Sequence, residues 1–194
     1  IKSTACMSML QQITTAGYQF CLIDPEGEYD NAPHSVIVGN EHYAPEMADI
    51  LRLLMNPENN VVINLLGVPL SERPQFFVQI FQAVQELRSK NGLPHWLVVD
   101  EAHHMLHPYW SSIIEPIWHE AGAFIAVTIN PGEISKFVLE DIDLILAVGE
   151  CPAETMSVFA RNLGVASISN EPDKLRYGQT EAWFRRENAC SIKL

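Results

Sequence analysis

The amino-acid sequence predicts an α/β fold in which a mostly parallel sheet is covered by helices on both faces, making three layers. Short runs that are apolar on nearly every residue alternate with stretches of helical periodicity, as strands buried on two faces require. Several of those runs end on acidic or amide side chains, as strand tips lining a crevice do. Hydrophobic residues make up 47% of the chain and charged residues 19%, the composition of a packed domain and not of a disordered tail. At 194 residues the chain is the size of one domain with a sizeable core.

Residues 3–16 place Ala5, Met9, Leu10 and Ile13 on one approximate helical face before the breaker Gly17. The apolar run 18–23 reads as a buried strand that stops at Asp24-Pro25-Glu26-Gly27-Glu28. A second run, 36–38, follows a turn at 31–33, and a compact helix over 45–55 is closed by Asn56-Pro57. Residues 60–66 form a nearly all-apolar strand, and 71–90 a long helix with Phe77, Ile80, Phe81, Val84 and Leu87 on one side. Asn91-Gly92-Leu93-Pro94 ends that helix, and the strand 95–99 carries Asp100 and Glu101 at its tip. A shorter helix over 111–121 and two further strands, 124–129 and 144–148, follow. Beyond Glu150 come a helix over 153–162 ended by Gly164, a short helix or turn at 172–177, and a closing β pair, 179–184 with 189–192, around Glu187-Asn188. In a parallel sheet Asp24, Asp100, Glu101, Asn130 and the pair Gly149-Glu150 all fall at strand ends and are expected to cluster.

Lys plus Arg total 12 against 24 Asp plus Glu, a formal net charge of -12, which disfavours a free-standing polyanion binder. The four cysteines show no C-x-x-C spacing and read as scattered thiols of a reducing compartment. No apolar run reaches the roughly 18–20 residues that cross a bilayer and no secretory signal opens the chain, so the default location is cytoplasmic. The chain opens at Ile1-Lys2-Ser3-Thr4 with no preceding strand, which reads as a single domain, 1–194, truncated at its N-terminus.

Lys2-Ser3-Thr4 at a helix start matches the tail of a G-x-x-x-x-G-K-[ST] phosphate loop. That loop needs an ammonium for the β- and γ-phosphates, a hydroxyl for Mg²⁺ and free N–H groups for phosphate oxygens. The same three residues also suit an ordinary polar cap, and the motif's last Gly is here Ile1. His95-Trp96-Leu97-Val98-Val99-Asp100-Glu101 carries the second signal: one carboxylate, Asp100, to hold hydrated Mg²⁺ and an adjacent one, Glu101, to polarise the attacking water. Its bland alternative is a pair of acids capping the next helix. Asp24 and Glu28 either line a nucleotide crevice, bridge to a neighbouring subunit, or sit in a solvated turn. Asn130 fits a γ-phosphate sensor and equally a turn former before Pro131-Gly132. His103, His104, His107 and His119 lack zinc-site spacing and read as satisfied or surface imidazoles. Arg161, Arg185 and Arg186 are the candidates for a finger reaching an adjacent subunit.

Lys2-Ser3-Thr4, the strand end Leu22-Ile23-Asp24-Pro25-Glu26-Gly27-Glu28-Tyr29 and Asp100-Glu101-Ala102-His103 together resemble the HerA/FtsK superfamily of P-loop ATPases, in particular its HerA-like and type IV secretion branch. The resemblance implies a RecA-like P-loop NTPase sandwich that takes ATP and Mg²⁺. Lys2, Ser3 and Thr4 would then meet the phosphates, Ser3 and Asp100 the metal, and Glu101 would be the base. Asn130 stands where the family more often has Gln. The resemblance further implies a homo-oligomer, typically a hexameric ring, that moves DNA or protein and supplies the trans arginine; grip on nucleic acid would come from that ring or from another domain. A second reading is a nucleotide-binding regulatory module with weak or no hydrolysis, attached to a separate catalytic domain.

Overall fold

The computed structural model describes residues 2–118, 122–149, 151–165, 180–185 and 190–193. Helix α1 (Lys2–Thr15) leads through Gly17, at φ +80°, into β1 (Phe20–Asp24). Strand β2 (Ser35–Val38), helix α2 (Met47–Leu54), β3 (Asn60–Asn64), the long α3 (Arg73–Asn91) and β4 (Trp96–Val99) follow. A one-turn helix α4 (Ala102–Met105), α5 (Ser111–Trp118) and β5 (Phe124–Ala126) complete the first half. The remainder is α6 (Lys136–Asp141), β6 (Leu144–Val148), α7 (Pro152–Leu163), β7 (Thr180–Phe184) and β8 (Cys190–Lys193). Proline opens α3 and α7, where a missing N–H is harmless, and a left-handed glycine, Gly92 or Gly164, closes each.

Five strands form one parallel sheet in the order β2-β3-β1-β4-β5. Ile23 of β1 pairs with Ile63 of β3 on one side and Val99 of β4 on the other. Alternation along each strand assigns the two faces. Cys21, Ile23, Val61, Ile63, Leu97 and Val99 pack with Ile50 and Leu54 of α2, Phe77, Ile80, Phe81 and Val84 of α3, and Ile114 and Trp118 of α5. Phe20, Leu22, Val62 and Val98 point the other way, onto Cys6 and Leu10 of α1 and onto Tyr29. Because both faces are covered, β1 and β3 are apolar throughout and carry no period-2 pattern. The three-layer α/β sandwich expected from the sequence is therefore present. Among the described residues, no helix is long and apolar enough to cross a membrane.

Two expectations need correction. The strand read over 124–129 is regular only over Phe124–Ala126; Val127 still donates to Val99 O (2.9 Å), but Thr128 turns out of the ladder and Ile129 is exposed. The run 144–148 leaves the parallel sheet: β6 pairs antiparallel with β7, and β7 with β8, as a second sheet, with Ile145 opposite Trp183. Its end at Gly149 is thus not a tip of the parallel sheet. An apolar run specifies burial but not which strand it pairs with, and here β7 supplies the partner. The closing β pair is present as β7 and β8. Its turn at Glu187-Asn188, the helix or turn at 172–177, Ile1, His119, Glu150 and Arg186 lie outside the described residues.

Phe81 is fully buried, with ring centroids 5.4 Å from Trp118 and 5.7 Å from Phe77. Phe81→Ala is expected to cost about 3–5 kcal/mol by opening a cavity that neighbouring strands cannot close. A urea unfolding curve would read this as a lower midpoint at unchanged slope.

Candidate functional site

Helix α1 folds back along β1, so its first turn lies over the carboxyl edge of the sheet where β1, β3 and β4 end on Asp24, Asn64 and Asp100. Lys2 reaches that edge directly. Its ammonium stands 3.6 Å from Asp100 Oδ1 and forms an ion pair with Glu101 Oε1. The two signals read from the sequence, nearly a hundred positions apart, therefore meet in one place.

Asp100 has no exposed side-chain surface, and neither of its oxygens accepts a hydrogen bond within the protein. Burial raises its pKa, a shift that the charge of Lys2 opposes. Its backbone is held in register with β1 by Asp100 N–H donating to Ile23 O at 3.1 Å. Tyr29 is fully buried, and its hydroxyl lies near the Asp100 carboxylate and the Cys6 thiol without a hydrogen bond of good geometry to either. Burial, and then the nearby Cys6 thiol, raise its pKa. A hard carboxylate oxygen buried without a well-placed hydrogen-bond donor is what a divalent cation such as Mg²⁺ takes. The residues at the tip of β4 fit one.

The loop after β1 is wrapped around Asp24. Its Oδ1 accepts from Glu26 N (3.3 Å), Gly27 N (2.8 Å) and Glu28 N (3.2 Å), and its Oδ2 from Tyr29 N (3.0 Å). Burial outweighs these four donors and leaves the Asp24 pKa raised. Gly27 makes the wrap feasible: it sits at φ +71°, and a Cβ there would meet Leu66 Cδ1 at 2.7 Å. Both Asp24 oxygens thus face its own loop, and the side chain delivered outward is Glu28, whose Oε2 accepts from Ser3 Oγ at 2.5 Å. Ser3 is bonded to Glu28 and not to Asp100, while Thr4, next along α1, is exposed.

Glu101 links β4 to α4 in a left-handed conformation (φ 44°, ψ 44°), which a non-glycine residue adopts only when its surroundings impose it. Ala102 N–H donates to Val127 O at 2.9 Å and fixes that corner. The Glu101 carboxylate is buried, its Oε1 paired with Lys2 and its Oε2 3.3 Å from His103 Nδ1. His103 Nδ1 is also 3.0 Å from Thr128 Oγ1, which accepts from Asn130 N at 3.0 Å. Burial first, and the neighbouring His104 second, lower the His103 pKa. Ligand atoms of Glu101, His103 and His104 lie within 4.8 Å of one another. His107 instead caps the turn Pro108–Trp110, its Nδ1 accepting from Tyr109 N at 3.1 Å.

Lys2, Asp100 and Glu101 therefore converge, Ser3 and Glu28 form an adjoining pair, Asp24 shapes the loop beside them, and Asn130 is exposed at the foot of the turn Pro131–Glu133. Sequence reasoning missed Tyr29, His103 and Thr128 as site residues. Thr128 is the one hydroxyl in an otherwise apolar run, a signal that was available; His103 was hidden among four histidines. Arg185 caps α6 through Leu139 O (2.6 Å), Glu140 O (3.0 Å) and Ile142 O (2.8 Å), whereas Arg161 is exposed near the end of α7.

No family model matches the chain, and no curated protein does. Among solved structures it is similar to the genome packaging NTPase B204 from Sulfolobus turreted icosahedral virus 2 in complex with ATP-gammaS, at a TM-score of 0.64 and 13% identity over 99% of this chain and 89% of that one. The complex of the same protein with AMPPCP gives 0.63 at 13% identity over 95% and 86%. The DNA-packaging ATPase B204 from Sulfolobus Turreted Icosahedral Virus gives 0.60 at 13% identity over 95% and 86%. At that identity the likeness shows a shared α/β fold with a central, mostly parallel sheet.

Proposed function

We propose that the chain is a P-loop ATPase domain of the HerA/FtsK type that hydrolyses ATP with Mg²⁺. The observation that carries this reading is the buried Asp100 carboxylate, with neither oxygen hydrogen-bonded and with Lys2 from a helix start 3.6 Å away. A carboxylate held that way is unfavourable on its own and becomes favourable once a cation is supplied. The structural neighbours were solved with ATP-gammaS, AMPPCP and AMP, which supports a nucleotide as the ligand.

In this reading Lys2 exchanges its carboxylate partners for β- and γ-phosphate oxygens, and the first N–H groups of α1 with Thr4 lie around the same phosphates. Ser3, released from Glu28, and Asp100 would hold Mg²⁺. The bound metal would neutralise charge on the phosphate oxygens. Glu101, freed from Lys2, takes a proton from the attacking water. Asn130, exposed at the loop beyond β5, approaches the terminal phosphate, and Asp24 and Glu28 line the crevice. Assembly into a ring, with an arginine such as Arg161 entering the neighbour's site, and coupling to DNA or protein movement complete the proposal. The net charge of -12 disfavours nucleic-acid contact over the whole surface and leaves it to a local patch, the assembled ring or another domain.

Hydrolysis of ATP by the protein in its full native length, with and without Mg²⁺, tests the reading. Glu101→Gln is expected to keep ATP affinity and lose about 10²–10⁴-fold in turnover. A wild-type protein that binds ATP without turnover would instead support the regulatory reading, and no binding would sink both. Asp100→Asn is expected to act in opposite directions on stability and function. Without nucleotide it should raise stability by about 1 kcal/mol, a Tm increase of roughly 2–4 °C, because a buried charge is removed. With Mg²⁺ and ATP at about 100 times Kd, the wild type should gain about 2.7 kcal/mol and the variant much less, as thermal melts would show.

A further inference from the structure

His103 is the side chain that joins the tip of β4 to the tip of β5. Its ring is buried, and its Nδ1 stands between two oxygens, Glu101 Oε2 at 3.3 Å and Thr128 Oγ1 at 3.0 Å. The Thr128 contact is a hydrogen bond and the Glu101 contact a close approach; a carboxylate oxygen can only accept, so an Nδ1–H suits both, whereas a bare Nδ1 would set its lone pair against Oε2. Thr128 Oγ1 already accepts from Asn130 N at 3.0 Å; with Nδ1–H donating as well, the Thr128 hydroxyl proton is left for an acceptor outside the pair. The backbone repeats the link, since Ala102 N–H donates to Val127 O at 2.9 Å.

We infer that His103 is a positioning residue: as the Nδ1–H tautomer it pins Oε2 of Glu101 to Thr128, so that Oε1 is the atom that receives the proton of the attacking water. The inference rests on the ATPase reading of Glu101. In the structure Oε1 is held by Lys2 and Oε2 by His103. When Lys2 turns to phosphate, only Oε1 is released. Water then gives its proton to Oε1 as its oxygen bonds to the terminal phosphorus and the bond to the bridging oxygen of the diphosphate breaks. Because the same imidazole holds Thr128, a shift of the 128–133 loop on contact with the terminal phosphate is carried to the base. A nucleotide lacking that phosphate leaves the loop, and the base, where they are.

The test is made on the full-length protein with His103→Leu, His103→Asn and Thr128→Val. Asn presents an amide N–H close to the place of Nδ1–H, whereas Leu keeps bulk without a donor. His103→Leu is expected to leave ATP affinity within about twofold and to lower kcat by at least about tenfold, a fraction of what the whole base contributes. His103→Asn should restore most of that loss, and the double variant His103→Leu/Thr128→Val should be no slower than His103→Leu alone, as two ends of one link require. ¹⁵N imidazole shifts of the wild type should report the Nδ1–H tautomer, and Thr128→Val should move the His103 signals. An Nε2–H tautomer in the wild type, or a His103→Leu variant with unchanged kcat or only a raised KM, would overturn the positioning role and leave the ATPase reading standing. Absence of turnover in the wild type would overturn that reading and the positioning role with it.

Discussion

A carboxylate with no exposed surface and no hydrogen-bond donor is an unfavourable thing to build into a protein, and at the tip of β4 the whole sheet holds one in place. The backbone of Asp100 is fixed by its own N–H, bonded to Ile23 O beside a ladder of parallel strands buried on both faces. Lys2, 3.6 Å from Oδ1, and the nearby Tyr29 hydroxyl compensate incompletely, since burial still leaves the pKa raised. The stress is therefore not relieved within the described residues. A site that is strained when empty binds a compensating ligand more readily, and stability is the quantity traded for it.

The surroundings of Asp100 divide the site into parts with separate duties. The loop 24–29 is self-contained: four backbone donors on Asp24 fold it, and what it presents is Glu28 to Ser3. The 101–103 corner is tied to β5 rather than to β1, through Val127 O and through His103 and Thr128. Lys2 pairs with the acids of β4, and its neighbour Ser3 with the β1 loop, so α1 engages both parts. Because α1 is anchored by few buried side chains, Cys6 and Leu10, while α3 buries six, movement at the site is cheapest on the α1 side.

The second sheet extends the same core. Ala147, Met156, Phe159 and Trp183 pack into the cluster that holds α3 and α5, and Trp118 Nε1 donates to Asp141 Oδ2 at 2.8 Å across it. The helix α7 reaches back to the loop beyond β5, with Asn162 Nδ2 donating to Pro131 O at 3.3 Å. That contact places a chain of polar links from α7 through the turn 131–133 to Asn130, Thr128, His103 and Glu101. Arg161, on the same helix, lies next to the residue that makes the contact.

What the sequence determined by itself was whatever depends on local periodicity and on residue type. Doubly buried strands must be apolar throughout and helices between them must be amphipathic, so the three-layer sandwich, the spans of α1 and α3 and the acids at the tip of β4 were all legible. Lys2, Asp100 and Glu101 could be named because phosphate and metal chemistry demands those groups at a helix start and at strand ends. Tertiary structure decided what depends on long-range pairing. Whether the run 144–148 joins the parallel sheet or pairs with 180–184 is a choice between partners that apolarity does not encode. That Asp24 turns inward while Glu28 faces Ser3 follows from the loop's wrap around its own backbone. His103 and Thr128 lie 25 positions apart in the chain and meet beside Glu101 only because β4 and β5 are neighbours.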